Sequence, residues 1–193
     1  MYAPVPLEFG QYYHIYNRGV ARARLFAEER NYRYFLRLYA KHVAPVSHTF
    51  AYCLLPNHFH FLVQIKDVED LTGLDTVGLK PPSQSFSNLF NAYARAFNRA
   101  YDRNGALFQR PFGRIPVTSD AYFTALVVYI HQNPQRHGLT DDFRTWPFSS
   151  YGALVSHLPT RLAREEVLAW FDGVGAVVDA HGTEADESRI EPL

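Results

Sequence analysis

The sequence has few of the features that mark secreted and membrane proteins. It contains a single cysteine, Cys53, among 193 residues, so no disulfide can form within the chain. It has no charged-then-apolar leader and no apolar run of about eighteen residues, the length that a membrane span requires. These absences argue against a disulfide-stapled secreted scaffold and predict a cytoplasmic protein without a membrane span.

The formal net charge is zero, but the charges are unevenly distributed along the chain. Residues 1–140 contain 15 Lys and Arg against 9 Asp and Glu, a net charge of +6, whereas residues 141–193 contain 4 against 10, a net charge of −6. Twelve of the 15 basic residues in the first part are Arg, whose planar guanidinium suits phosphate. The split fits a polyanion-binding body followed by an acidic segment, and it equally fits an ordinary charged surface.

The hydrophobic and aromatic contents, 47% and 16%, predict one globular domain. Residue periodicity favours an α+β class with an antiparallel sheet. Pro56 and Asn57 form a turn signal between two strands, which predicts a hairpin. Ser119 is placed to cap the third helix, and Pro134 follows its expected end. The predicted strands span 11–20, 47–55 and 58–66, with an irregular hairpin or strand at 105–117, and the predicted helices span 28–43, 83–103, 119–133 and a short stretch near 164–171.

Two histidines interrupt an apolar run in the stretch LLPNHFHFLVQI, residues 54–65. In a strand, His58 and His60 point to one face, and Phe59 and Phe61 point to the other. Two imidazoles on one face can together hold a divalent metal ion. The alternative is that both are surface or core residues, because His-x-His pairs also occur by chance. A polar residue inside an apolar strand needs a partner, however, which favours a functional interpretation.

The predicted third helix could supply that partner. Tyr129 and Asn133 are four residues apart, so they share one helix face near its C-terminal end. Asn133 offers an amide oxygen, a ligand suited to Mg²⁺ or Mn²⁺, and Tyr129 offers a hydroxyl. The alternative, a core aromatic at Tyr129, stays open, because Tyr122 lies on the same face seven residues earlier.

Five blocks of sequence, in their order and spacing, resemble the single-tyrosine HUH transposases of the insertion-sequence-200-like group, and in particular the REP-associated tyrosine transposases. The resemblance covers about residues 8–155, and the five blocks together are far more specific than the His-x-His pair alone. It implies a ferredoxin-like or RRM-like antiparallel sheet flanked by helices. The blocks are YHIYNRGV (13–20), AYCLLPNHFHFLVQ (51–64), LFQRPFGRIPV (107–117), YIHQNPQRHGL (129–139) and WPFSSY (146–151).

This resemblance implies roles for the four candidate residues. His58 and His60 match the histidines that hold a Mg or Mn ion, Asn133 matches the third ligand, and Tyr129 matches the nucleophile. Members of the family cut and rejoin single-stranded DNA, often at a hairpin formed by an imperfect palindrome. The resemblance therefore implies a metal-dependent endonuclease and strand transferase with a 5′-phosphotyrosine intermediate. It leaves a monomer or a homodimer open and fits a location at the nucleoid of a prokaryote.

The His-x-His motif fits two other classes of hydrolase less well. A two-histidine phosphoesterase needs two separated His-x-Thr/Ser motifs, and a zinc hydrolase of the metallo-β-lactamase kind needs Asp-His after the pair, where this chain has Phe61 and Leu62. The remaining alternative is a non-catalytic, domesticated protein that keeps the fold and binds hairpin DNA. The presence of Tyr129 together with both histidines favours the enzyme.

Several arginines are candidates for DNA contacts, because Arg and Lys neutralise phosphates. Each could equally be a solvated surface charge, and the spacing of those in the second helix could simply mark its solvent face. His14, in the first strand, is expected to be a structural histidine. The candidate arginines are Arg18, Arg95, Arg99, Arg110 and Arg114.

The predicted organisation is a transposase-like domain at 1–155, a helical extension at 156–178 and an acidic tail at 179–193, for which two alternatives stay open: disorder, or a fold over the DNA groove that restrains activity. Two departures from the family pattern bear on the DNA recognised. The loop 67–82 is longer than the pattern has, and Pro111 stands where a second basic residue is common.

Overall fold

Four strands and six helices form the part of the chain that the computed structural model describes, residues 5–71, 80–185 and 190. Three single-turn 3₁₀ helices lie between them, at Val20–Arg22, Val68–Asp70 and Phe143–Thr145. The strands are β1 (Tyr12–Arg18), β2 (Ser47–Leu55), β3 (His58–Ile65) and β4 (Gly113–Pro116), and the helices are α1 (Glu29–His42), α2 (Pro82–Ala100), α3 (Asp120–Arg136), α4 (Tyr151–Val155), α5 (Arg164–Trp170) and α6 (Val174–Ala180).

The strands form one antiparallel sheet in the order β2-β3-β1-β4. The predicted hairpin between β2 and β3 is confirmed, with Pro56 and Asn57 at its turn. β1 lies in the middle of the sheet and pairs Tyr16 with His60 and Arg18 with His58. The predicted α+β class, a ferredoxin-like antiparallel sheet flanked by helices, is confirmed.

Each face of the sheet is covered by different helices. α1 and α2 pack on the face that carries Phe59 and Phe61, where the Tyr39 ring stacks on Phe61 at 4.4 Å. α3 packs on the opposite face, where Leu62 and Phe123 lie in a second apolar cluster. Burying one such aromatic ring stabilises the fold by roughly 2 kcal/mol. The polar residues His58 and His60 therefore face α3, as the alternation along the strand predicts.

Helix α3 begins as predicted but ends later. The Ser119 side chain accepts a hydrogen bond from the Tyr122 amide, which confirms the expected cap. The prediction that the helix ends at residue 133 is wrong, because Pro134 lies inside a helix that continues to Arg136. Proline removes one amide donor but does not prevent the next turn, in which the His137 amide donates to the Asn133 carbonyl at 3.0 Å. The extra turn lengthens the face that carries Tyr129 and Asn133.

The segment between α2 and α3 contains only the short strand β4, with an isolated bridge between Gly19 and Phe108. The sequence patterns did not predict α4 or α6, which are both short. α6 crosses the predicted boundary at residue 178, and His181 and Ala185 beyond it are buried. The first part of the acidic tail thus includes buried residues, whereas the domain boundaries and the state of the tail stay predictions. The predicted loop 67–82 lies partly outside the described residues.

Across the described residues, no helix combines the length and the apolar character that crossing a membrane requires.

Candidate functional site

The His58 and His60 rings lie on the α3 face of β3, as the strand alternation predicts. Their ring centroids are 5.2 Å apart, and the two rings are perpendicular. The Asn57 Oδ1 atom is 2.7 Å from His58 Nδ1. Because a carbonyl oxygen only accepts, this contact assigns the proton to Nδ1, so Nε2 of His58 carries the lone pair, and the Asn133 side chain also contacts this ring. Asn57, in the hairpin turn, thus orients the His58 ring.

His14 on β1 contacts the second histidine. His14 Nε2 and His60 Nδ1 are 2.9 Å apart, and both rings are buried. No described residue bonds to His60 Nε2, which leaves that atom available. The expectation that His14 is a structural histidine agrees with this position, in which it holds the His60 ring.

Burial keeps these histidines uncharged. It lowers the pKa of His14 to about 3 and holds the pKa of His60 well below its usual range. Burial is also the main cause that lowers the pKa of His58 to about 4, followed by the charge of His137. Neutral imidazoles are the form that binds metal ions, so both strand histidines can act as ligands near pH 7.

Helix α3 places Tyr129 and Asn133 beside the histidines. The ring centroids of Tyr129 and His60 are 5.7 Å apart, and Tyr129 is half-buried. Asn133 is buried, and its Nδ2 donates to the Tyr129 carbonyl at 2.8 Å. The four residues singled out from the sequence therefore line one cleft between β3 and α3, although their chemical roles stay a prediction.

The Tyr129 phenol is protonated at neutral pH in this arrangement. Burial raises its pKa above the ordinary value, and three groups act in the opposite direction: the Asn133 side chain by a hydrogen bond, and Arg136 and Arg18 by their charges. The Arg136 guanidinium lies 5.6 Å from the ring centroid. A reaction of this hydroxyl therefore needs a proton acceptor or an activated electrophile.

Of the five candidate arginines, only Arg18 lies at the cleft. It pairs with His58 in the sheet register and is exposed. Its charge contributes to the lowered pKa of His137, after burial and Arg136. Arg18 therefore supplies positive charge at the cleft entrance.

The other four arginines line a separate groove of about 1400 Å³ that runs along α2 and the segment 105–114. Arg114 pairs with Ile15 in the sheet, so it points to the face opposite His60. Its guanidinium lies 3.9 Å from the centre of the Phe112 ring. No Asp or Glu occurs among the described residues that line this groove. The sequence thus identified one set of arginines that the fold divides between two surfaces; those in the groove are Arg95, Arg99, Arg110 and Arg114.

Sequence reasoning missed His137, which lies eight residues after Tyr129 and four after Asn133. The centroids of the His137 and His58 rings are 4.9 Å apart. The spacing places all three on one helical face, a signal that was readable from the sequence. This spacing was not recognised, because the helix was expected to end before Pro134.

The cleft fits a divalent ion, judged by its donor atoms. It offers two neutral imidazoles and an amide, and its strand histidines are oriented through their Nδ1 atoms. Within the described ranges, no three side chains of His, Cys, Asp or Glu already converge on one point. An ion bound here therefore needs Asn133, a phosphate or a moved side chain to complete its ligands.

Comparisons with known proteins agree with the motifs. No family model matches the sequence. A protein of Haemophilus influenzae, named as a REP-associated tyrosine transposase, is 30% identical over 105 residues, 53% of this chain and 58% of that protein. The chain thus spans less than two thirds of this curated relative. The resemblance to REP-associated tyrosine transposases that the motifs indicated is confirmed.

A solved structure has the same fold. It is the structure of a REP-associated tyrosine transposase bound to a REP hairpin, and it matches 82% of this chain and 88% of its own chain with a TM-score of 0.60. At 17% identity the likeness shows the fold alone.

Proposed function

We propose that this protein is a metal-dependent endonuclease and strand transferase that acts on single-stranded DNA beside a hairpin. The observation that carries the proposal is the cleft, in which Tyr129 and Asn133 of α3 meet His58 and His60 of β3. A phenol beside a neutral, imidazole-rich donor set is suited to phosphodiester transfer to tyrosine. The similarity to REP-associated tyrosine transposases supports the same assignment.

The cleft residues divide the work of the first step. A divalent ion held by His58, His60 and Asn133 would polarise the scissile phosphodiester and orient it. The Tyr129 oxygen attacks the phosphorus, so that the bond from phosphorus to the tyrosine oxygen forms as the bond to the 3′-oxygen breaks. The phenol proton is transferred to water or to the departing 3′-oxygen, which leaves as a 3′-hydroxyl. The 5′-phosphotyrosine that remains can be attacked by another 3′-hydroxyl without ATP.

The groove along α2 is the surface that we assign to duplex DNA. Its exposed Arg95, Arg99 and Arg110 supply cations without neighbouring lining carboxylates. At the end of β1, Asn17 lines this groove, and the next residue, Arg18, lies at the cleft. A hairpin stem in the groove could therefore pass its single-stranded flank around this strand end to Tyr129. The solved transposase with a bound REP hairpin makes such a substrate reasonable.

A covalent adduct tests the proposal. The protein is incubated with Mn²⁺ and labelled single strands that carry the hairpins beside its own gene, and adducts are resolved on a denaturing gel. We expect wild type to form an adduct and Tyr129→Phe to form none. Tyr12→Phe is the matched control, because Tyr12 is also a half-buried tyrosine on the α3 face but lies toward the other end of the sheet.

The outcomes separate the two candidate functions. If Tyr129→Phe forms as much adduct as wild type, Tyr129 is not the nucleophile. If wild type binds the hairpin but forms no adduct with Mn²⁺ or Mg²⁺, the protein is the non-catalytic hairpin-binding alternative.

A further inference from the structure

His137 stands at the open side of the cleft. It caps the C-terminal end of α3, and its side chain is exposed. Its ring makes no hydrogen bond to any residue that the structure describes. An imidazole with both ring nitrogens unused therefore faces the predicted metal ligands.

Ring separations in the cleft match those of imidazoles that share one ion. A metal–nitrogen bond is about 2.1 Å, and the ring centre lies roughly 1.1 Å further, so an ion sits about 3.2 Å from each ring centre. Two rings at 90–110° around that ion are then about 4.5–5.2 Å apart. The observed separations are 5.2 Å for His58 and His60 and 4.9 Å for His58 and His137. Both pairs fall within this range.

We infer that His137 is a third imidazole ligand of the ion in the cleft, beside His58 and His60. The inference rests on the proposed function only in taking the cleft to be a metal site. Because three such side chains do not yet converge in the described part of the chain, His137 must turn toward His60 when the ion binds. An exposed side chain at a helix end can make that rotation with little loss of packing.

The added imidazole changes which ions the cleft prefers. Mg²⁺ favours carboxylate, carbonyl and water oxygens, whereas imidazoles suit transition ions such as Zn²⁺ and Co²⁺. The described residues place no carboxylate among the candidate ligands. A site with three imidazoles and one amide should therefore bind Co²⁺ at least about a hundredfold more tightly than Mg²⁺.

Metal binding without DNA tests the inference. Co²⁺ and Mg²⁺ are titrated into the full chain by calorimetry, with wild type, His137→Ala and His58→Ala. His157→Ala is the matched control, because His157 is an exposed histidine outside the cleft. We expect His137→Ala to weaken Co²⁺ binding by about tenfold or more while Mg²⁺ binding changes less than about threefold.

Proton NMR of the Co²⁺ complex counts the ligands directly. Each imidazole bound to Co²⁺ gives one strongly shifted, solvent-exchangeable N–H resonance. We expect three such resonances in wild type and in His157→Ala, and two in His137→Ala. Circular dichroism and the unfolding midpoint confirm that each variant remains folded.

Failure of this inference is distinct from failure of the proposed function. If His58→Ala abolishes Co²⁺ binding but His137→Ala leaves the affinity and the number of resonances unchanged, the metal site stands and His137 is not a ligand. If both variants bind Co²⁺ as tightly as wild type, the cleft itself is not the metal site and both ideas are overturned.

Discussion

Two groups of buried histidines flank helix α3, and they differ in what their ring nitrogens contact. Behind the helix, His131 Nδ1 is 2.8 Å from His181 Nε2, and His131 Nε2 is 2.7 Å from the Ser150 hydroxyl. His181 Nδ1 in turn bonds to the Val177 carbonyl at 2.7 Å. Each nitrogen of this pair has a partner. We call His131, His181 and Ser150 the clamp, because they join α3 to the chain after α6.

In the cleft, by contrast, nitrogens remain unused. His14 Nδ1 is buried without a hydrogen-bond partner among the described residues, and no described residue bonds to His60 Nε2. A buried histidine whose nitrogens are all bonded needs no ligand to explain it. One with an available nitrogen that faces a cleft is a candidate ligand. The two groups flank the same helix, so the comparison predicts different effects for similar substitutions.

Removing a cleft histidine should abolish the reaction and keep the DNA affinity. We expect His58→Ala and His60→Ala each to lower adduct formation at least about a thousandfold, about 4 kcal/mol in the barrier, because each removes a proposed ligand of the ion. Hairpin affinity, measured by fluorescence anisotropy without added metal, should change less than about threefold, because the phosphate contacts that we propose lie in the groove. If both variants formed as much adduct as wild type, the cleft would have no part in the mechanism.

Removing a clamp histidine should affect stability first. His131→Ala deletes a fully buried ring and leaves His181 and Ser150 without their shared partner. We expect the free energy of unfolding to fall by roughly 3 kcal/mol in urea titrations. His157→Ala, at an exposed site, should change it by less than about 0.5 kcal/mol. A destabilisation no larger than that of His157→Ala would show that the clamp does not hold α3.

Lowering the pH should destabilise the folded protein through the buried histidines of both groups. An unfolded histidine is protonated near pH 6.5, whereas the pKa is lowered by burial to about 4 for His58 and His181. The unfolded chain therefore binds more protons below pH 6.5, and the free energy of unfolding falls as the pH drops from 6.5 toward 4. Each neutral histidine contributes up to about 1.4 kcal/mol per pH unit in this window.

Removing one of these histidines should flatten the pH dependence. Urea unfolding at several pH values compares wild type with His181→Asn. For this variant we expect the free energy of unfolding to fall less steeply with decreasing pH, because one buried neutral histidine no longer contributes. Stability that is flat from pH 6.5 to 5 in wild type would contradict the neutral histidines of both groups.

The acidic end should have the smallest effect. Deleting 179–193 would also remove His181 and Ala185, which pack on α3, so the cleaner test deletes 186–193 only. That segment has three acidic residues and one arginine, a net charge of −2. We expect hairpin binding at low salt to strengthen by about twofold and to be unchanged at high salt, because such effects are screened. Unchanged affinity at low salt would exclude any competition with DNA.

Strand alternation and helix spacing are local rules, and they predicted the β2–β3 hairpin, the shared face of His58 and His60, and the shared face of Tyr129 and Asn133. That these two faces meet was implied by the resemblance to a family and not by any local pattern. Sequence reasoning missed His137, because a proline inside a helix was read as a stop although the packed helix tolerates it. It grouped Arg18 with Arg114, because charge counts do not tell which face of the sheet a residue occupies. The packing of His181 depends on contacts with residues 50 positions away, which no local pattern encodes.

The proposed reaction depends on attack by the Tyr129 hydroxyl on the phosphodiester. Mass spectrometry of the proteolysed DNA adduct tests it most directly, because it locates the modified residue on the chain. We expect the 5′-phosphate of the nucleotide to be attached to Tyr129. A nucleotide found on any other tyrosine, with Tyr129 unmodified, would contradict it.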